Sequence, residues 1–511
     1  MAGKKMQKLC FACPTFSSMT CLLVTMCLLS SALLFAYPPG WSDDMLINQD
    51  TTTNKNYPDI STDSQNEVWI SWDDATWFEG EIYYSKRDSV GNCLIPETPV
   101  SNNATRSIWS RVVVDSSDNV HFIWRDQTPQ GTGLWHAKLA NDGTTIVPSH
   151  LAVSGSGGFE ISTEIALDKY QNINIAWSEI LSGHNQMSYS QLDSLGDPII
   201  EKIRVSPEGL SAYWVGIGTD SFANNHLACR TDTPGTSHRL TYSKLDRNGN
   251  ILISNIVLAT GSTPSIVADC HQNIHMVYIN GTGPGIAIDY LKLDQGGNIL
   301  IGPQTISSPP FNSNTDPHMA IDSTQFLHVV WMGDSSTIVH IMYCKLDTLG
   351  DYVIPPMKIV YPYQGGFPRI AVDLSNRLHV VWVGDQLNPG AATDIFYKRG
   401  ENETGIEETR QTRETILSEI SMFPNPFTDK VNIKFHVDHS LRDSPENILL
   451  RIHDVSGRLV REIAHTATQQ DYQIVTWSGE DNYGSELPDG VYFLSFIAGD
   501  HVETTKLLLI R

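Results

Sequence analysis

The sequence predicts an all-β chain, a seven-bladed β-propeller followed by a small β-sandwich. Three observations carry that prediction. A four-strand unit recurs seven times at spacings of 49–53 residues. No amphipathic helix of useful length interrupts the units, and the last 90 or so residues switch to a different alternating pattern. The 511 residues suit an array plus a smaller domain, and 41 % hydrophobic content rules out wholesale disorder.

The first element is a leader. Lys4, Lys5 and Lys8 precede an apolar run from about Cys21 to Ala36, which Tyr37-Pro38-Pro39-Gly40 breaks. That layout predicts a secretory signal peptide over residues 1–36. The run is short for a membrane span of about 20 residues, and Cys21 precedes it instead of closing it, which argues against a lipoprotein site. Cleavage takes the net charge from −23 to −26, because three lysines and no acids leave. Such a charge excludes a general nucleic-acid binder, which needs a basic face to neutralise phosphates. The mature cysteines Cys93, Cys229, Cys270 and Cys344 form no CxxC pair, so no zinc site is expected. Mostly buried free thiols are expected, with one disulfide as the alternative.

The propeller occupies residues 44–400. Its units start at Pro58, Ser110, Thr163, Val215, Pro264, Pro317 and Pro368, and the clearest copies read PHMAIDSTQFLHVVWMGD and PRIAVDLSNRLHVVWVGD. Each unit supplies strands a (RIAV type), b (HVVW type), c (YSKL type) and d (ILIS type). The seventh lacks d, and MLINQDT from Met45 resembles a d strand, so the N-terminal segment is expected to complete the last blade and close the ring.

Repeated polar residues invite functional readings that spacing weakens. Asp63, Asp115, Asp168, Asp220, Asp269, Asp322 and Asp373 close strand a without the dense spacing of a calcium loop, so turn capping is expected. His121, His226, His275, His328 and His379 share one position on strand b, too far apart around a ring to hold one ion at about 2 Å bonds. Trp72, Trp124, Trp177, Trp331 and Trp382, with Cys229 and Tyr278, are expected to form core between blades. Neither metal nor cofactor is expected.

The a–b and c–d turns are uniform, whereas the b–c loops and d–a crossings vary and fall on one face, which becomes the candidate binding face. Tyr57, Trp109, Trp214 and Phe367 lead into strand a there, and two positions on come Asp59, Arg111, Glu164, His318 and Arg369. Stacking aromatics beside arginines that grip carboxylates suit a glycan or protein ligand; the competing reading is an ion-pair ring capped by packing aromatics.

Residues 401–420, rich in Glu, read as an acidic linker. Beyond them, alternating apolar residues with Ser-Gly and Asp-Gly turns predict the sandwich at 421–511. Phe423-Pro424-Asn425-Pro426-Phe427, Asp454-Val455-Ser456-Gly457-Arg458, Gly490-Val491-Tyr492-Phe493 and Lys506 to Arg511 resemble the type A C-terminal sorting domain of the type IX secretion system. Trp477 to Phe493 is also similar to the Ig-like domain of the flagellar hook-capping protein. The resemblance implies an Ig-like sandwich, the type IX machinery as partner, and outer-membrane translocation in a Gram-negative bacterium. Tail removal would follow, with release or attachment to surface lipopolysaccharide.

The propeller units carry a sialidase-like (BNR) flavour, but the resemblance to the bacterial neuraminidase Asp-box is partial: Ser116-Ser117-Asp118-Asn119 precedes Trp124 with Asn in the Gly position and shifted spacing. Only Arg111 and Arg369 stand at equivalent mouth positions, where sialidase-like propellers need three arginines. The expected function is therefore a monomeric secreted or surface-displayed binding module. The alternatives are a sialidase-like glycoside hydrolase or lyase using acids and arginines at the mouth, and a repeat scaffold for surface assembly.

Overall fold

Each repeat meets the conditions for an antiparallel meander, with short runs of Val, Ile, Tyr and Trp separated by Asp-led turns. The computed structural model describes residues 40–401 and 421–511, apart from 75–79, 103–105, 129–130, 156–161, 233–237, 282–284, 308–312, 335–338, 361–364, 386–391, 424, 426, 437–447, 455–457, 466–471, 483 and 499–500. The expected leader, and the expected linker beyond Glu401, lie outside the described residues. The chain divides near residue 404 into two compact units, each described by itself.

The first unit holds seven four-stranded antiparallel sheets, a seven-bladed propeller. Blade one runs Asn56–Thr62, Val68–Asp73, Ile82–Arg87 and Cys93–Pro99, from inner strand a to outer strand d. Innermost strands of successive blades lie side by side all the way round, so Asn56–Thr62 of blade one meets Gly365–Val372 of blade seven. The ring closes as the sequence predicts. Met45 pairs with Tyr397 and Leu46 with Phe396, giving blade seven its strand d from the N-terminal side. Lys398, fully buried, holds Asp44 at 2.7 Å, and Trp41 stands edge-on to Tyr343 at 5.1 Å.

The core lies between blades. Trp331 of blade six packs with Val277 and Tyr290 of blade five. Trp72 of blade one packs with Val381 and Tyr397 of blade seven, and Tyr278 of blade five with Tyr242 of blade four. Truncating one such aromatic to Ala costs about 3–5 kcal/mol.

The strand-b histidines are structural. In blades four to seven, Nε2 donates to the turn aspartate at 3.1–3.3 Å. Their Nδ1 accepts the hydroxyl of Tyr242, Tyr290, Tyr343 or Tyr397 at 2.7–2.9 Å. In blade two His136 replaces the tyrosine, 3.0 Å from His121. Burial pushes these histidines below their ordinary value, so they stay neutral. The aspartates cap their turns as expected: Asp63 Oδ1 accepts the N–H groups of Gln65 at 3.0 Å and Glu67 at 2.8 Å.

All four described cysteines are free. Cys229 and Cys344 are buried, but Cys93 and Cys270 are exposed, which corrects the expectation of mostly buried thiols. Cys93 opens an outer strand and Cys270 sits in an a–b turn, both at the water-facing side of a blade.

The second unit pairs Ser421–Phe423, Val431–His436 and Tyr472–Trp477 in one sheet. Leu459–His465, Ile448–Asp454, Gly490–Ala498 and His501–Leu509 form the other. Val431, Ile433, Leu450, Ile452, Trp477, Leu494 and Leu507 share one core, which makes the small β-sandwich.

Candidate ligand site at the propeller mouth

The residue leading into strand a shapes the mouth. Tyr57, Trp109, Trp214, Thr263, Asp316 and Phe367 all adopt left-handed backbone, with φ of 46–55°. At these places the register against strand b slips, as between Asn56 and Asp59 or Gly366 and Arg369, so each is a β-bulge. Left-handed backbone costs an L-residue about 1–2 kcal/mol. Six repetitions at one blade position mark a geometry the ring maintains, and bulges re-aim side chains. Blade three differs, because Thr163–Leu167 pairs in plain register.

Three of the expected aromatics form one cluster. Tyr57 stands edge-on to Trp109 with centroids 5.6 Å apart, and tilts against Phe367 at 4.7 Å. The Trp109 N–H donates to Asp73 at 2.9 Å, and the Arg125 guanidinium lies 5.4 Å from the Trp109 ring. Trp214 lines the same mouth from blade four, 36 % exposed. The mouth cavity is narrow, about 70 Å³. A wider channel of about 330 Å³ lies against strands a of blades three to six, and Glu164, Pro264 and Arg369 line both spaces.

The charged residues meet beneath the aromatics. Arg111 forks onto Glu164, with Nε 3.1 Å from Oε2 and Nη2 2.9 Å from Oε1. Arg369 reaches the same Oε1 at 2.7 Å. Burial alone would raise the Glu164 carboxyl, but Arg111 and Arg369 overcome it and hold it at about 2. Three guanidinium N–H groups on one ionised carboxylate make Glu164 a poor proton acceptor.

Asp59 does not line the mouth. It is 8 % exposed, and its Oδ2 accepts the Val112 N–H at 2.9 Å. Burial pushes its carboxyl upward against the pull of Arg111 and Arg369. His318 lines the channel instead of the mouth; its Nδ1 accepts the Ile370 N–H at 3.2 Å, and burial, reinforced by Arg369, lowers it to about 3.

Sequence reasoning missed Asp73 and Arg125, which hold Trp109. The acid recurring near the end of strand b (Asp73, Asp126, Asp334, Asp385) was the available signal for Asp73. Asp316, which enters strand a of blade six at the position equivalent to Tyr57, also lines the mouth, and burial pushes its carboxyl upward.

Among solved structures, the chain is similar to an ulvan lyase of a polysaccharide lyase family, bound to a GlcA(1-4)Rha3S saccharide. Identity is 8 % over 69 % of this chain and 95 % of that one, with a TM-score of 0.50. A Dyadobacter fermentans protein of unknown function is 10 % identical over 71 % of this chain and 100 % of its own, TM-score 0.44. A Penicillium chrysogenum α-L-arabinanase complexed with arabinobiose is 9 % identical over 70 % and 98 %, TM-score 0.43. At 8 % identity the likeness to the ulvan lyase shows the fold alone. No curated protein matches the chain. Residues 421–511 match the family described as secretion system C-terminal sorting domain, the type IX tail that addresses the protein for export across the outer membrane, to the cell surface or the medium.

Proposed function

We propose that the exported propeller is a binding module that takes a saccharide at its mouth. The carrying observation is the bulge ring, which holds Tyr57, Trp109, Trp214 and Phe367 at the mouth on left-handed backbone. Aromatic faces and edges suit the apolar faces of sugar rings. The narrowness of the mouth favours a chain end or a single ring over a flat protein surface. The Arg111–Glu164–Arg369 cluster serves as a rigid floor that fixes strands from blades two, three and seven.

The hydrolase or lyase alternative asks for a free acid–base pair. Glu164 is a poor candidate because its oxygens are occupied, which leaves that reading to Asp59 and to Asp316, the acid that lines the mouth. The test is a glycan array probed with the full exported chain and with Trp109→Ala. The expected result is saccharide binding that falls at least tenfold in the variant. No saccharide binding, or binding the variant leaves unchanged, overturns the reading; so does glycoside turnover lost in Asp59→Asn.

A further inference from the structure

The channel beneath the mouth is lined by five polar side chains, those of Glu164, Thr219, Ser265, His318 and Arg369. Two are already satisfied. Glu164 accepts three guanidinium N–H groups, and the Thr219 hydroxyl donates to the Leu167 carbonyl at 2.7 Å.

The other three each retain a donor. Ser265 Oγ accepts the Met319 N–H at 3.0 Å, which leaves its hydroxyl hydrogen to give. His318 Nδ1 accepts the Ile370 N–H, so the neutral ring carries its proton on Nε2. Arg369 spends one N–H on Glu164, and no other acceptor among the described residues takes the rest of its fork. These three residues occupy the same position in blades five, six and seven, and each of the first two is tied to the blade that follows. The equivalent residue of blade four is Gly216, where a Cβ would run into the Pro264 carbonyl, so no side chain stands at that position.

We propose that Ser265, His318 and Arg369 form an oxyanion subsite that receives the carboxylate or sulfate group of an acidic saccharide, resting on the saccharide reading of the mouth. An acceptor-only group answers three unfilled donors at once, and a guanidinium edge matches a carboxylate or sulfate in plane. The local charge agrees. Arg111 and Arg369 face one ionised carboxylate, Glu164, while burial pushes the neighbouring Asp59 and Asp316 carboxyls upward. The aromatic mouth would hold the sugar while its acid group reaches the channel through the Glu164–Pro264–Arg369 boundary that both spaces share.

The test has two arms on the full exported chain. Equilibrium dialysis with radiolabelled inorganic sulfate at constant ionic strength reads the subsite without any sugar. Titration with a glucuronate-ended oligosaccharide and its glucose-ended counterpart reads it in context. The expected results are saturable sulfate binding, a tenfold or greater preference for the acidic oligosaccharide, and loss of both in Arg369→Gln. Ser265→Ala leaves the Met319 N–H without its acceptor, a loss of a few degrees in melting temperature, and should lower both about threefold at a temperature where the variant is still folded.

Absence of sulfate binding, or sulfate binding that Arg369→Gln and Ser265→Ala leave unchanged, overturns the subsite. Equal binding of the two oligosaccharides overturns it while leaving the aromatic mouth standing. Sulfate binding without binding of either oligosaccharide instead overturns the saccharide reading and keeps the anion site.

Discussion

Glu164 of blade three accepts a hydrogen bond at 2.7 Å from Arg369 of blade seven, a residue 205 positions away in the chain. With Arg111 on the same carboxylate, the pair ties distant blades across the floor of the mouth. Removing the acid strands two guanidinium groups, and breaking a buried pair from one side costs about 3–5 kcal/mol. The partial exposure of Glu164 and Arg369, 20 % and 17 % at the side chain, places the expected loss for Glu164→Gln near the lower end. Denaturant unfolding measures it, and a loss under about 0.5 kcal/mol contradicts the tie.

Thr263 carries a β-branched side chain on left-handed backbone with φ of 51°. Asn tolerates that region far better than Thr. Thr263→Asn is expected to stabilise the protein by about 1 kcal/mol, read as a higher denaturation midpoint with an unchanged slope. A destabilised variant would mean that the hydroxyl holds the bulge.

Tyr290→Phe removes the hydroxyl that donates to His275 Nδ1 at 2.8 Å inside blade five. A buried ring nitrogen is left without its donor, at a cost of about 1–3 kcal/mol. The same change at a tyrosine outside the Asp–His–Tyr arrangement, such as the half-exposed Tyr170, should cost almost nothing.

Acid should weaken the fold in two stages. The folded histidines of strand b and His318 sit below the ordinary value of 6.5, so the unfolded chain takes up protons that the folded chain refuses. Stability therefore falls as the pH drops below about 6.5, by up to about 1.4 kcal/mol per pH unit for each such group. Asp115, Asp220, Asp269 and Asp373, lowered from 3.8 by their hydrogen bonds against the upward push of burial, add a second loss below about pH 4. Unfolding free energies measured from pH 8 to pH 3 test this, and a flat curve down to pH 5 contradicts the first stage.

Much of this fold is legible in the sequence because each blade repeats the same local decisions. Asp at the a–b turn, an aromatic three residues beyond the histidine and a missing seventh d strand are one-dimensional signals, and the ring enforces them. The mouth is legible in outline for the same reason, since equivalent positions in equivalent strands must face the same axis. What the sequence hides is which of those side chains satisfy one another. Arg111, Arg369 and Glu164 look alike as ligand groups until the ring brings blades three and seven together. Likewise His318, one more mouth residue by position, proves to line the channel as a neutral donor.

A crystal structure of the protein with the tightest-binding saccharide from the array measures the central claim most directly. The expected result is a sugar ring against Tyr57, Trp109 and Phe367, with Trp214 facing it across the mouth. A saccharide bound elsewhere on the propeller, with the mouth empty, contradicts it.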